Sequence, residues 1–348
     1  MPKRERILYF DFIRTVCAFY IMVYHFCVSL NPAAHSGFVK YLENPQMALA
    51  IVKVFFMLSG ALLFYNNCDT GKPKNFYYKR FKSIYPMYYI AFIPCFIVKV
   101  IMENKLFYAG NPIKLLLSLF GVDGYFFVVS SPNYYQVGEW FLGVIIFIYI
   151  LYPLILRLYK KSALLTLALV FCLYATAFIK NLFTVDPSIN IFSCLASFFT
   201  GIIFIDNKDI LLKNKFSLII SAVVIVLLLT VKLPFIPYDI IIFATAICMF
   251  IILSFIGNAV MKSKPLCKTF TALSAISYAV FLVQHKVVMA VVRLLNPSNS
   301  LFAFLGLLLC TAATVISAKS LCVITDRLLK TKLYIKLENR ILSTQKQK

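Results

Sequence analysis

Charge is scarce in this chain: only 14% of its 348 residues are Asp, Glu, Lys or Arg, and 13 are acidic. The hydrophobic share is 61%, with a mean hydropathy of +0.86. A water-soluble domain of that composition would expose large aggregating patches, so a soluble globular class is excluded. Histidine is limited to three residues and tryptophan to one. The ten cysteines form no CxxC pair and no metal-ligand spacing, and most lie inside apolar runs (Cys17, Cys95, Cys172, Cys248, Cys310). That pattern excludes a disulfide scaffold and a zinc module, leaves cysteine as a small core residue, and gives no reason to expect a metal. Internal repeats, heptads and low-complexity tracts are absent as well. The apolar run at the N-terminus is too long for a signal peptide, carries Arg14 and His25, and lacks an A-x-A cleavage site, so it reads as a first span.

What is present is a series of apolar runs of membrane-crossing length. They lie near residues 7–30, 47–66, 84–103, 140–158, 162–180, 190–205, 215–231, 238–257, 272–293 and 301–325, the run 190–205 being short for a span. The fold class expected is therefore an all-α integral membrane protein of about ten transmembrane helices. The stretch 106–129 is apolar but broken by Gly110, Pro112, Gly121 and Gly124, which points to an interfacial or re-entrant segment.

The formal charge of +22 would by itself suggest a nucleic-acid partner, but the placement of the cations argues otherwise. Twenty-four of the 35 Lys and Arg fall in segments 1–6, 67–83, 157–161, 206–215, 258–270 and 326–348, which alternate with loops holding only Lys40, Lys105, Lys114, Lys180 and Lys232. Cationic loops are retained on the cytoplasmic side, so both termini are expected there, with lipid and not nucleic acid as the surroundings. Residues 1–325 read as one polytopic domain, and 326–348 as a short basic cytoplasmic tail forming a surface helix.

Ionisable groups inside spans are costly and are the functional candidates. Arg14 and His25 are eleven residues apart, so they share one face of the first span at a separation of about 16 Å. Asp11 precedes Arg14 by three residues and is placed to pair with it. Histidine suits general-base work, and arginine holds phosphate or carboxylate. Such a pair serves group transfer from a phosphate-bearing donor, a proton-coupled transporter, or simply helix locking; spacing does not separate these. Lys53, Glu139, Trp140, His285 and Lys286 gather towards the other membrane face, where Glu139 is placed to neutralise Lys53 or Lys286, or to sit as an interfacial carboxylate beside Trp140. Lys99 and Arg293 lie near span ends and are expected to snorkel; His35 falls in the first outer loop. The cluster Lys72, Lys74, Lys79, Arg80 and Lys82 sits where cytoplasmic cations are expected anyway, but Arg80, beside Tyr85 and Pro86 at the mouth of the third span, stands out as a phosphate contact.

Four segments together resemble the acyltransferase family 3 membrane proteins. They are Arg14 with His25, the run Phe55 to Gly60 ending in Ser59-Gly60, the run Tyr78 to Pro86 containing Arg80, and the run Ser277 to His285. The resemblance covers residues 7 to about 325 in order and spacing. It implies transfer of an acyl group, most often acetyl, from acyl-CoA to a hydroxyl of an envelope glycan or exopolysaccharide, in a bacterial plasma membrane. It further implies that Arg14 and His25 are the essential residues, with Ser59 and Arg80 as matching motif positions. The chain departs from the family where paired glutamates are usual and Ile145 and Ile146 stand, where Lys53 replaces an acidic residue, and where Gln284 takes a histidine position with His285 following. One step along a helix turns a side chain by about 100°, which weakens a catalytic role for His285.

These elements predict that Arg14 and Arg80, with Ser59 and Tyr85 nearby, hold acetyl-CoA from the cytoplasmic side, and that His25 is the general base or a transient acyl acceptor. Asp11, Lys53, Glu139, Trp140, Gln284 and His285 complete the candidate polar pocket. A multi-span transporter or flippase of an envelope saccharide is the alternative, weakened by the missing repeat.

Overall fold

A chain in lipid must satisfy its backbone hydrogen bonds internally, and long apolar runs therefore form helices. In the computed structural model, which describes residues 5–31, 34, 37–66, 73–127, 131–180, 182–231 and 233–343, every regular element is helical. His35, Lys72 and Lys232 lie outside the described residues. The helices are α1 (Leu8–Val28), α2 (Phe38–Leu42), α3 (Pro45–Asn66), α4 (Pro73–Glu103), α5 (Leu115–Leu119), α6 (Asp123–Phe127), α7 (Glu139–Lys161) and α8 (Ala163–Thr176). They continue with α9 (Ile191–Asp206), α10 (Lys208–Lys213), α11 (Lys215–Thr230), α12 (Tyr238–Val260), α13 (Lys264–Leu295), α14 (Ser300–Leu329) and α15 (Lys332–Ser343). Several starts are capped as their sequences suggest: Ser162, Asn190, Asn214 and Asn299 accept from the backbone N–H of Leu165, Phe192, Phe216 and Phe302.

All ten expected runs are helical, but among the described residues seven helices (α1, α3, α4, α7, α12, α13 and α14) are long and apolar enough to cross a membrane. The other three, α8, α9 and α11, have 14, 16 and 16 residues, short of the about 20 that a bilayer crossing needs. Of these, α9 is largely enclosed by protein. It crosses α3 so closely that a Cβ on Gly60 would fall on the carbonyl oxygen of Phe198, and one on Gly201 on that of Met57. This is the small-residue contact by which helices pack in lipid.

Between residues 106 and 127 the chain forms a 3-10 turn, α5 and α6, short elements in place of a spanning helix. The end of α5 leaves carbonyls without helical partners. Three tyrosines of α4 supply the donors: Tyr88 to Ser118 O at 2.8 Å, Tyr89 to Leu119 O at 2.6 Å and Tyr85 to Phe120 O at 2.9 Å.

A second buried polar contact ties four helices. Lys53 of α3, 1% exposed, lies 2.8 Å from Asp239 Oδ1 of α12. Asp239 Oδ2 also accepts from Tyr174 of α8 and Ser193 of α9, each at 2.8 Å, and Lys53 donates to Ser193 Oγ. Lys53 is thus neutralised by Asp239 and not by Glu139, which pairs with His25 instead. The tail expected as a surface helix is α15, which returns to α4 through Glu338 and Lys82 at 2.6 Å, with Lys82 over the Tyr334 ring at 5.7 Å.

Candidate active site

Helices α1, α3, α4, α7 and α13 enclose a chamber of about 300 Å³. Its wall is mainly apolar, but Arg14 stands in it, as do Glu139, Trp140 and Gln284, while Ser59 and Tyr149 contribute hydroxyls.

At the Arg14 end the expected partner has changed. Asp11 is held in a bidentate pair by Arg6, Nε to Oδ2 at 2.8 Å and Nη2 to Oδ1 at 2.9 Å. Ser274 of α13 donates to Asp11 Oδ1 at 2.8 Å, and Arg14 Nη1 reaches only Ser274 Oγ, at 3.4 Å. Arg6, just before α1, reaches Asp11 in the first turn, and this occupies both carboxylate oxygens. Among the described residues Arg14 therefore has a hydroxyl partner and no carboxylate within ion-pair distance. Arg80 stacks between the rings of Phe76 and Tyr149, 6.0 and 5.9 Å from their centroids, and its Nε is buried without a hydrogen-bond partner. Arg14 lines the chamber and Arg80 does not; a guanidinium with few partners is a group that can hold an anion. Ser59 lines the chamber. Tyr85 does not: its hydroxyl is committed to Phe120 O.

At the other end, His25 Nε2 lies 3.2 Å from Glu139 Oε2. Glu139 is the first residue of α7, follows Gly138 at φ +96° and itself has φ +41°. A non-glycine residue in that region carries about 1–3 kcal/mol of strain and is found where function demands it. Gln284 Nε2 donates to Glu139 Oε1 at 3.4 Å. The ring of His285 lies 5.3 Å from that of His25, nearly perpendicular, and its Nδ1 is buried without a partner. Glu139 and His25 meet α13 between two adjacent positions, so Gln284 and His285, both expected in the polar pocket, flank the pair together. Lys286 is not neutralised by Glu139 either; its Nζ bonds Gln136 Oε1 at 3.0 Å.

Ligand atoms of His25, Glu139 and His285 all lie within 4.8 Å of one another. Two imidazoles and a carboxylate are a donor set that a zinc-like divalent ion accepts, and this trio is where a metal would bind, although the sequence gives no reason to expect one. As it stands, the geometry is a histidine oriented by a carboxylate, the arrangement of a general base.

Sequence reasoning missed Asp239 and Ser274. Asp239 carried a signal, an acid at the start of an apolar run at the same membrane face as Lys53. Ser274 carried none, since a hydroxyl in a helix is unremarkable until its neighbours are known.

The family model described as an acyltransferase domain, that of acyltransferase family 3, matches residues 7–319. No curated protein and no solved structure matches the chain. The chain belongs to acyltransferase family 3.

Proposed function

We propose, from that membership as premise, that this multi-pass membrane acyltransferase moves an acyl group, most often acetyl, from acyl-CoA to a hydroxyl of an envelope glycan or exopolysaccharide in a bacterial plasma membrane. The observation that carries the reading is the His25–Glu139 pair, whose carboxylate lines the same chamber as Arg14.

Arg14 and Arg80 hold phosphates or carbonyls of the donor, which enters from the cytoplasmic side. The chamber takes the pantetheine arm, and the about 16 Å between Arg14 and His25 on one helical face suits so long a molecule. His25 donates its Nε2 hydrogen to Glu139, which leaves the Nδ1 lone pair free. In the transfer, Nδ1 takes the acceptor hydroxyl proton as the oxygen attacks the thioester carbonyl. The C–S bond then breaks, and the departing thiolate takes that proton back. Glu139 stabilises the imidazolium between the two steps, and Gln284 holds Glu139.

The test is proton NMR of O-acetyl groups in the surface glycans of the native host, with the gene deleted, then restored as wild type or as His25→Ala. Acetyl signals should vanish on deletion, return with wild type and stay absent with His25→Ala. Acetyl signals untouched by deletion would remove the reading.

A further inference from the structure

The chamber is lined mainly by apolar side chains, and with the donor in it an acceptor needs its own approach to His25. A different cavity offers one. At the His25 end of α1 an open groove of about 540 Å³ runs between the end of α1, α2 and the starts of α3 and α12, lined by Val28, Lys40, Glu43, Asn44, Gln46 and Tyr238. Val28 is one turn beyond His25, a rise of about 4.5 Å. Tyr24 connects the two places: its ring is 5.4 Å from that of His25, and it lies close enough to Tyr238 to interact electrostatically.

The lining carries one ammonium and one carboxylate, so it is balanced in charge and does not select an anion. It is too polar for an acyl chain. Two amides with both donors and acceptors are the groups that meet vicinal hydroxyls, and Tyr238, 50% exposed, offers an aromatic face beside them. Asn44 spends its Oδ1 on the backbone N–H of Gln46 and Met47, which keeps its two N–H donors for a ligand. Gln46 Nε2 is buried without an acceptor, a cost of about 1–3 kcal/mol that a ligand hydroxyl removes.

We propose that this groove is the acceptor subsite: it binds an uncharged, hydroxyl-rich saccharide segment and presents one hydroxyl past Tyr24 to His25. Donor and acceptor then enter by separate openings and meet at the His25–Glu139 pair. The proposal rests on the acyl-transfer reading above and adds the acceptor class and its binding residues.

The test uses the full chain carrying Gln46→Ala, Tyr238→Ala or Tyr238→Phe. Acetyl-CoA binding is read from the fluorescence of Trp140, the chain's one tryptophan, and acetyl transfer from the O-acetyl content of the host glycan in the deleted strain complemented by each variant. Gln46→Ala and Tyr238→Ala should each lower transfer about tenfold with acetyl-CoA binding unchanged, and Tyr238→Phe, which keeps the ring, should restore transfer. Wild-type transfer in both alanine variants overturns the groove, and so does a parallel loss of acetyl-CoA binding. If wild type itself adds no acetyl group that deletion removes, the acyl-transfer reading fails first and the groove falls with it.

Discussion

Glu139 Oε2 and His25 Nε2 lie 3.2 Å apart, joining the first turn of α7 to the last turns of α1. The carboxylate fixes which imidazole nitrogen keeps its lone pair, and the strained backbone at Glu139 holds it there.

Removal of the base should cost about 10²–10⁴ in rate. His25→Ala is expected to abolish transfer while acetyl-CoA still binds, and Glu139→Gln to lower transfer about a hundredfold with unchanged donor KM. Initial rates and donor binding on purified protein check both. Exhaustive chelation should leave the rate as it was, since Nδ1 acts as a proton acceptor. A rate that disappears on chelation and returns with zinc would instead make His25, Glu139 and His285 a metal centre.

Arg14 should act on the donor. Arg14→Ala is expected to weaken both acetyl-CoA binding and transfer, and Arg14→Lys to recover only part, because an ammonium lacks the planar fork. Trp140 lies in the chamber wall and is the sole tryptophan, so its emission reports donor binding directly. Full-affinity binding by Arg14→Ala would take the donor away from that end.

Lys53 and Asp239 should prove structural. Lys53→Met strands a buried carboxylate and is expected to destabilise the protein by about 3–5 kcal/mol. Lys53→Met with Asp239→Asn should recover most of the loss. Thermal unfolding of the four members of the cycle checks this; equal stability of the single variants and wild type would contradict it.

The docking of α15 should depend on acid pH. The Lys82 ammonium beside Glu338 holds its carboxyl below the ordinary glutamate range. The contact is therefore fully present above about pH 4.3 and is lost as pH falls through the lowered native value. Protection from hydrogen exchange in residues 332–338, corrected for the intrinsic rate at each pH, should stay constant from neutral pH down to that point and fall below it, and Lys82→Gln should lower protection only where the wild-type contact is present.

Some of this was legible from residue order alone. Scarce charge and long apolar runs required a helical membrane protein, since lipid leaves a backbone few other ways to satisfy its hydrogen bonds. The breakers between 106 and 127 foretold short elements there in place of a spanning helix. The eleven-residue interval of Arg14 and His25 put both on one face, and the four matching segments named the family.

Partnerships between helices were not legible. Lys53 found Asp239 and not Glu139, and Asp11 found Arg6 and not Arg14. Within a helix, neighbours follow from 3.6 residues per turn, a property of the chain itself. Between helices, neighbours depend on crossing angle, depth and rotation. Those are set by how side chains and small residues such as Gly60 and Gly201 pack across the bundle. The sequence by itself therefore determined the class of protein, its helices and the face bearing Arg14 and His25. The tertiary structure decided which charges are paired and which side chains of different helices meet, because those depend on packing between helices.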